Sequence, residues 1–180
     1  MNLWKTALVF VATLALSTAL YAKSAEVINS EADMSLLQFH KEVQGSQAFL
    51  KKNAKGYLIF PNVVKAGIGI GGEYGEGVLR VNGANVQYYS TASASVGLQF
   101  GLQKKAILIA FLTDEALANF QKSDGWKVGV DGSVALIKWG TGKDISNATF
   151  NKPVIGFVYG NEGLMYNLTI EGSKFTKIVR

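Results

Sequence analysis

Within the stretch Lys55–Gly77, KGYLIFPNVVKAGIGIGGEYGEG, Gly67, Gly69 and Gly71 fall on one face of an extended chain and Ala66, Ile68 and Ile70 on the other. Side chains in a strand alternate with period two, so one face of this ribbon is bare backbone. Glycine in a strand packs nothing and costs chain entropy. A run of it on one face therefore marks tight curvature, or a place where another backbone or a ligand comes close. All 20 glycines lie at or after Gly45, which makes Gly45–Arg180 about 15% glycine against about 7% in ordinary proteins. With two prolines and apolar residues interleaved throughout, this is a glycine-rich β-protein and not a low-complexity chain.

The rest of the chain supplies strands and a few helices around that ribbon. Strand patterns are expected at Gly56–Phe60, closed by Pro61, and at Lys65–Tyr74 and Gly77–Val81. An Asn82-Gly83 hairpin turn leads into Asn85–Tyr89. Val96, Leu98, Phe100 and Leu102 alternate with small or polar residues, and the continuous apolar run Ala106–Leu112 reads as a strand covered on both faces. Further strands are expected at Trp126–Ile137, Val154–Tyr159, Leu164–Ile170 and Lys174–Ile178, with turns at Asn161–Gly163 and Gly172-Ser173. Ahead of them, Ser30 is a cap candidate for an amphipathic helix with Ala32, Leu36, Phe39 and Val43 at helical spacing. Gly45 and Ser46 break it, and a short piece follows at Gln47–Asn53. Its apolar stripe suits either the domain core or a bilayer surface. Thr113 caps a short internal helix at Asp114–Gln121, with Gly125 past its end. The sum is an α+β fold: a curved or barrel-like, mainly antiparallel sheet with an N-terminal amphipathic helical segment and one short internal helix.

The opening MNLWKTALVFVATLALSTALYAKSA carries Lys5, an apolar run from Ala7 to Leu16 and small residues to Ala22, the pattern of a secretory signal peptide cut after Ala22. The expected organisation is therefore a leader at 1–22 and one domain at 23–180, in the periplasm or secreted. Without cysteine there are no disulfides, no thiolate metal sites and no cysteine-linked lipid anchor. The formal charge of +5 falls to +4 with the loss of Lys5, enough to favour anionic partners weakly.

Catalytic signals are poor. Gly67, Gly69 and Gly72 satisfy GxGxxG, but a strand follows where a helix is needed, and no carboxylate lies between Glu76 and Asp114. The one histidine, His40, cannot build a familiar zinc site alone, and GxSxG is absent. Asp114 and Glu115 fit a helix first turn, and Glu73 and Glu76 read as flanks of a solvated turn. No enzymatic activity, cofactor or metal is expected. Nucleic acid is not expected either, because Tyr88-Tyr89 are not interleaved with basic residues. Lys51, Lys52, Lys55 and Lys65 cluster in sequence around the helix end and the ribbon. At about 1 kcal/mol each near an anionic surface, they need apolar insertion, from Phe49 and Leu50, to bind usefully.

The blocks AKGYLIFPNVVKAGIGIGGEYGEGVL (Ala54–Leu79), ILIAFLTDEALANF (Ile107–Phe120), GVDGSVAL (Gly129–Leu136) and IGFVYGNEGLMYNLTIEGS (Ile155–Ser173) together resemble the SYLF lipid-binding domain family, in its usual order. The resemblance implies membrane binding without catalysis, directed at anionic lipids, and in some eukaryotic members actin binding as well. Lipid contact would fall to an N-terminal amphipathic helix with nearby basic residues, here the segment with Phe39, Phe49, Leu50, Lys51 and Lys52. No SH3 or FYVE pattern accompanies it, so the chain looks like the stand-alone exported bacterial members. The partner expected is an anionic phospholipid or membrane surface. The alternative is a soluble envelope scaffold that binds another protein through strand edges or the glycine-rich face.

Overall fold

The computed structural model describes residues 22–137, 144–162 and 170–180. Two helices, α1 (Ala25–Glu42) and α2 (Ser46–Asn53), precede a long hairpin of β1 (Gly56–Val81) and β2 (Ala84–Phe111). Then follow α3 (Asp114–Lys122), β3 (Gly125–Lys127), β4 (Ala135–Leu136), β5 (Val154–Glu162) and β6 (Lys174–Ile178). The strand order is β3-β6-β2-β5-β4, with β1 also paired to β2. Among the described residues every pairing between these strands is antiparallel except β4 with β5, so the sheet is mixed, and it curls into a half-barrel carrying the three helices. The α+β expectation holds.

The hairpin turn is where the sequence puts it. Asn82 and Gly83 have φ of 53° and 79°, the left-handed pair a two-residue turn needs, and they fix the register from Val81↔Ala84 onward. Pro61 does not end a strand. It sits at a register shift between Phe60 and Val63, where a missing N–H costs no ladder bond, and β1 runs on through it. The three short strands expected before the turn are thus one, and Asn85–Tyr89 and the alternating segment after it join the central run in β2. The helix expected from Ser30 begins earlier: Ser24 Oγ accepts from Val27 N–H and caps α1 at Ala25. Gly45, at φ 77°, makes the break before α2, and Thr113 caps α3 by accepting from Ala116 N–H. Trp126–Ile137 is not one strand but β3 and β4, separated by a turn at Lys127–Gly132. Most of the strand expected at Leu164–Ile170, and residues 1–21 of the expected leader, lie outside the described residues.

β2 is the axis of the fold. Its last six residues, Ala106–Phe111, are buried on both faces between β1 and β5, as the unbroken apolar run requires. One face carries Ile107, Ile109 and Phe111 into a core with Phe120, Trp126 and Phe175, where α3 sits; Trp126 stacks on Phe175 at 5.9 Å. The other carries Ala106, Leu108 and Ala110 against Ile28, Phe39 and Phe49 of α1 and α2.

The glycines explain how strands this long remain compact. β1 doubles back on itself, its first third running past its last. A Cβ on Gly75 would lie 2.9 Å from the Asn62 carbonyl oxygen, and one on Gly71 2.7 Å from that of Ala66. One on Gly77 would overlap the Ile59 carbonyl oxygen and sit 2.6 Å from Phe60 Cδ1. Two backbones approach this closely only where Cβ is missing.

Candidate functional site

The glycine ribbon is a place of close approach, but what approaches it is the ribbon. A Cβ on Gly67 would lie 2.5 Å from the Ile70 carbonyl oxygen, against the facing Gly71, and Gly69 falls at the register shift between Ile68 and Ile70. The bare face is used up by curvature. The apolar side chains of the bend point outward instead: Ile70 is 74% exposed and Leu102 72%, with Tyr74 and Val64 partly exposed near them.

The acids after the ribbon are not a solvated turn, because β1 has no turn there. Glu73 is nearly buried, with Lys105 Nζ 2.7 Å from Oε2 and Lys65 Nζ 3.5 Å from Oε1; the Lys105 side chain is 3% exposed. Glu76 is 6% exposed and accepts from Tyr74 and Arg180. Burial alone pulls its pKa up, but the hydrogen bonds from Arg180 and Tyr74 and the Arg180 charge outweigh that and hold it below the usual carboxylate range. The same neighbourhood pushes the Tyr74 hydroxyl up to about 12, first through burial and then through the bond to Glu76.

At the opposite end of β1 the helices meet in a corner. His40 Nδ1 and Ser46 Oγ, 2.8 Å apart, tie α1 to α2, and burial lowers the His40 pKa, leaving the ring neutral at pH 7. Ser46, Phe49 and Leu50 form the inner stripe of α2, so Lys51 and Lys52 point out in its last turn, where positive charge suits the helix dipole. Phe39 is fully buried at 5.1 Å from both the Phe157 and Tyr159 rings, and Phe49 makes an edge contact with Phe150 at 5.3 Å. Phe39, Phe49 and Leu50 therefore belong to the core and offer a bilayer no area while the fold holds.

The four lysines separate. Lys65 is engaged with Glu73 at the bend, ten strand residues and roughly 30 Å of chain from Lys55. Lys51 and Lys55 remain together, lining a groove of about 390 Å³ with Leu36, His40, Tyr57 and Arg80. Lys55 lies 3.6 Å from Asp114, whose carboxylate is 87% exposed, a weak and screened contact. Arg80 is committed, donating to Asp33 at 2.6 Å and Asn85 at 2.8 Å. Leu37 and Met34, 63% and 61% exposed, lie on the outward side of α1, the helix whose Leu36 and His40 line the groove; Leu37 is one turn beyond Asp33. Sequence reasoning missed them because the inner stripe of α1 (Ile28, Ala32, Ser35, Phe39) already accounts for its apolar period. Two large apolar residues outside that stripe were the available signal.

Such a groove offers positive charge to an anion, with the apolar Leu36 and Tyr57 in its lining. Among the described residues no His, Asp and Glu gather as a metal site, and no helix is long and apolar enough to cross a membrane. Residues 92–178 match the family model Ysc84, described as Las17-binding protein actin regulator, which bears out the SYLF resemblance. No curated protein matches the chain.

Proposed function

We propose, on the premise that residues 92–178 carry the Ysc84 (SYLF) match, that this is an exported, non-enzymatic protein that associates with membranes and contacts anionic lipid through its helical corner. The observation that carries the reading is the groove that brings Lys51, Lys55 and Arg80 together against Leu36 and His40 of α1, a helix that also exposes Leu37 and Met34. Lys51, Lys52 and Lys55 give about 3 kcal/mol near an anionic surface. Leu37 and Met34, each still well over half exposed, add about 1–2 kcal/mol apiece on leaving water. Neither part suffices alone. The headgroup supplies the charge complement, and the two outward residues of α1 replace Phe49 and Leu50 as the apolar contribution.

Cosedimentation of the Lys23–Arg180 protein with phosphatidylcholine vesicles, with and without phosphatidylserine, tests this. Binding should favour the anionic vesicles and weaken with salt. Lys51→Glu with Lys52→Glu should lower it and flatten the salt slope, whereas Met34→Ser with Leu37→Ser should lower it and leave the slope unchanged. Equal binding of all variants would refute the corner as the lipid site. A second reading, an envelope scaffold, is favoured by the outward Ile70, Tyr74 and Leu102 at the ribbon bend, and indifference of the wild type to every vesicle would select it.

A further inference from the structure

The two oxygens of the buried Glu76 carboxylate are served unequally. Oε1 accepts from Arg180 Nη2 at 2.5 Å and Tyr74 Oη at 2.9 Å, while Oε2 accepts the backbone N–H of Lys23 at 3.3 Å. Lys23 is itself held in place by its side chain, whose Nζ lies 2.6 Å from Glu31 Oε2 on α1. It is also the residue that follows Ala22, the last residue of the expected leader, and every helix and strand described lies between Ala25 and Ile178.

We propose that Glu76 is the receptor for the protein's own processed N-terminus: hydrolysis of the Ala22–Lys23 bond turns the Lys23 backbone donor into an α-ammonium group that forms an ion pair with Glu76. In that step water adds across the peptide bond. Ala22 leaves as a carboxylate, and the Lys23 nitrogen stays on the domain and takes up protons. The inference rests on the export reading above and deepens it, since removal of the leader would then fasten the start of α1 to β1. The amide N–H reaches Oε2 at a long 3.3 Å and brings no charge of its own, whereas an ammonium adds a positive charge opposite the carboxylate, and N⁺–H···O⁻ bonds close to about 2.7–2.9 Å. Only cleavage at this one bond puts the charge on the atom that already faces Oε2; a cut one residue earlier would leave an amide in its place, and a cut one residue later would remove Lys23 itself.

The pH dependence follows from the groups in contact: Tyr74 and Arg180 on Glu76, Glu31 on the Lys23 side chain, and the new amine. The amine's folded-state pKa is raised, so its contribution is complete below its unfolded value of about 7.7–8.0 and disappears as pH rises through the folded value. Glu76 is shifted down, so its share is complete above its ordinary value and is lost as pH falls through the lowered one.

The test compares three proteins spanning Lys23–Arg180: free amine, α-acetylated at Lys23, and one with a single glycine added before Lys23. Acetylation keeps one N–H and removes the charge, and the added glycine moves the charge away. Both should lower the melting temperature at pH 7 by about 3–6 °C, with the difference closing by about pH 10. In Glu76→Gln, acetylation should shift the melting temperature by less than about 1 °C. An equal melting temperature for the free-amine and acetylated proteins, or a shift that persists in Glu76→Gln, would overturn the pairing. Should Glu76→Gln not fold, NMR titration of the Lys23 α-amine decides: a pKa above the ordinary range supports the pair, and one within about 7.7–8.0 overturns it. The mass of the exported protein decides the processing half separately, a chain beginning at any residue but Lys23 overturning it and leaving the lipid reading to its own vesicle assay.

Discussion

Gly77→Ala adds one methyl group where β1 crosses itself. The new Cβ would overlap the Ile59 carbonyl oxygen and lie 2.9 Å from its carbon and 2.6 Å from the Phe60 ring, all of it fully buried. Real Cβ atoms do not come within 3.0 Å of such neighbours. Relief cannot come from a rotamer, because the obstacle is backbone held in register by Ile59↔Leu108 on one side and Gly77↔Tyr89 on the other. Ordinary overpacking costs about 1–3 kcal/mol, and moving two paired backbones apart belongs at or beyond the top of that range. At about 2–4 °C per kcal/mol for a domain of this size, the melting temperature should fall by about 6–12 °C. Gly72→Ala is the control: its Cβ meets only the Ser93 carbonyl oxygen at an ordinary 3.5 Å, so stability should stay within about 0.5 kcal/mol, or rise as the unfolded chain loses freedom. Thermal melts followed by circular dichroism, with urea midpoints alongside, read both. If Gly77→Ala melted within 2 °C of Gly72→Ala, β1 would not cross itself at Ile59 and the account of the ribbon's glycines would be wrong.

Two tyrosines with similar burial should behave oppositely. Tyr159 Oη lies 2.8 Å from the buried Ser35 Oγ, so Tyr159→Phe should cost about 1–2 kcal/mol in urea unfolding, whereas the Tyr89 hydroxyl is buried with no hydrogen-bond partner among the described residues, so Tyr89→Phe should be neutral or stabilising. The reverse ranking would refute the pairing. For His40, the one histidine, a pKa lowered by burial means that the unfolded chain takes up the proton first as pH falls below about 6.5. Stability should therefore decline from there as pH falls further, and His40→Gln should flatten the part of the decline between pH 6.5 and 5, measured by urea midpoints.

Where a residue's role is set by its near neighbours, the sequence was readable. Thr113 caps α3, Gly45 breaks the helices and Asn82-Gly83 turns the hairpin, each through chemistry confined to a few residues. The run at Ala106–Leu112 announced a doubly covered strand for the same reason. Where the role depends on a distant partner, it was not. Glu73 and Glu76 look like turn residues until Lys105, Arg180 and Lys23 are brought to them, the last two from opposite ends of the domain. Phe49 and Leu50 illustrate a different limit: helical period identifies an apolar face but not what covers it, and here Phe150 and the sheet do. The bend in β1 was foreshadowed by its glycines, although their spacing could not distinguish a ligand from the strand's own return.

The placement of β6 has a consequence for when this protein folds. Residues Lys174–Ile178 pair with Tyr88–Ala92, in the first third of the central strand, a separation of about half the chain. Until that last segment is available, β2 has one edge open and its aromatic core lacks Phe175. A chain emerging from its amino end must then hold a long hairpin with unpaired N–H and C=O groups, a template for pairing with other copies. Such high contact order makes the final closure slow, so the interval of greatest aggregation risk falls between synthesis of the hairpin and arrival of the carboxyl end, and a holding chaperone would act there to greatest effect.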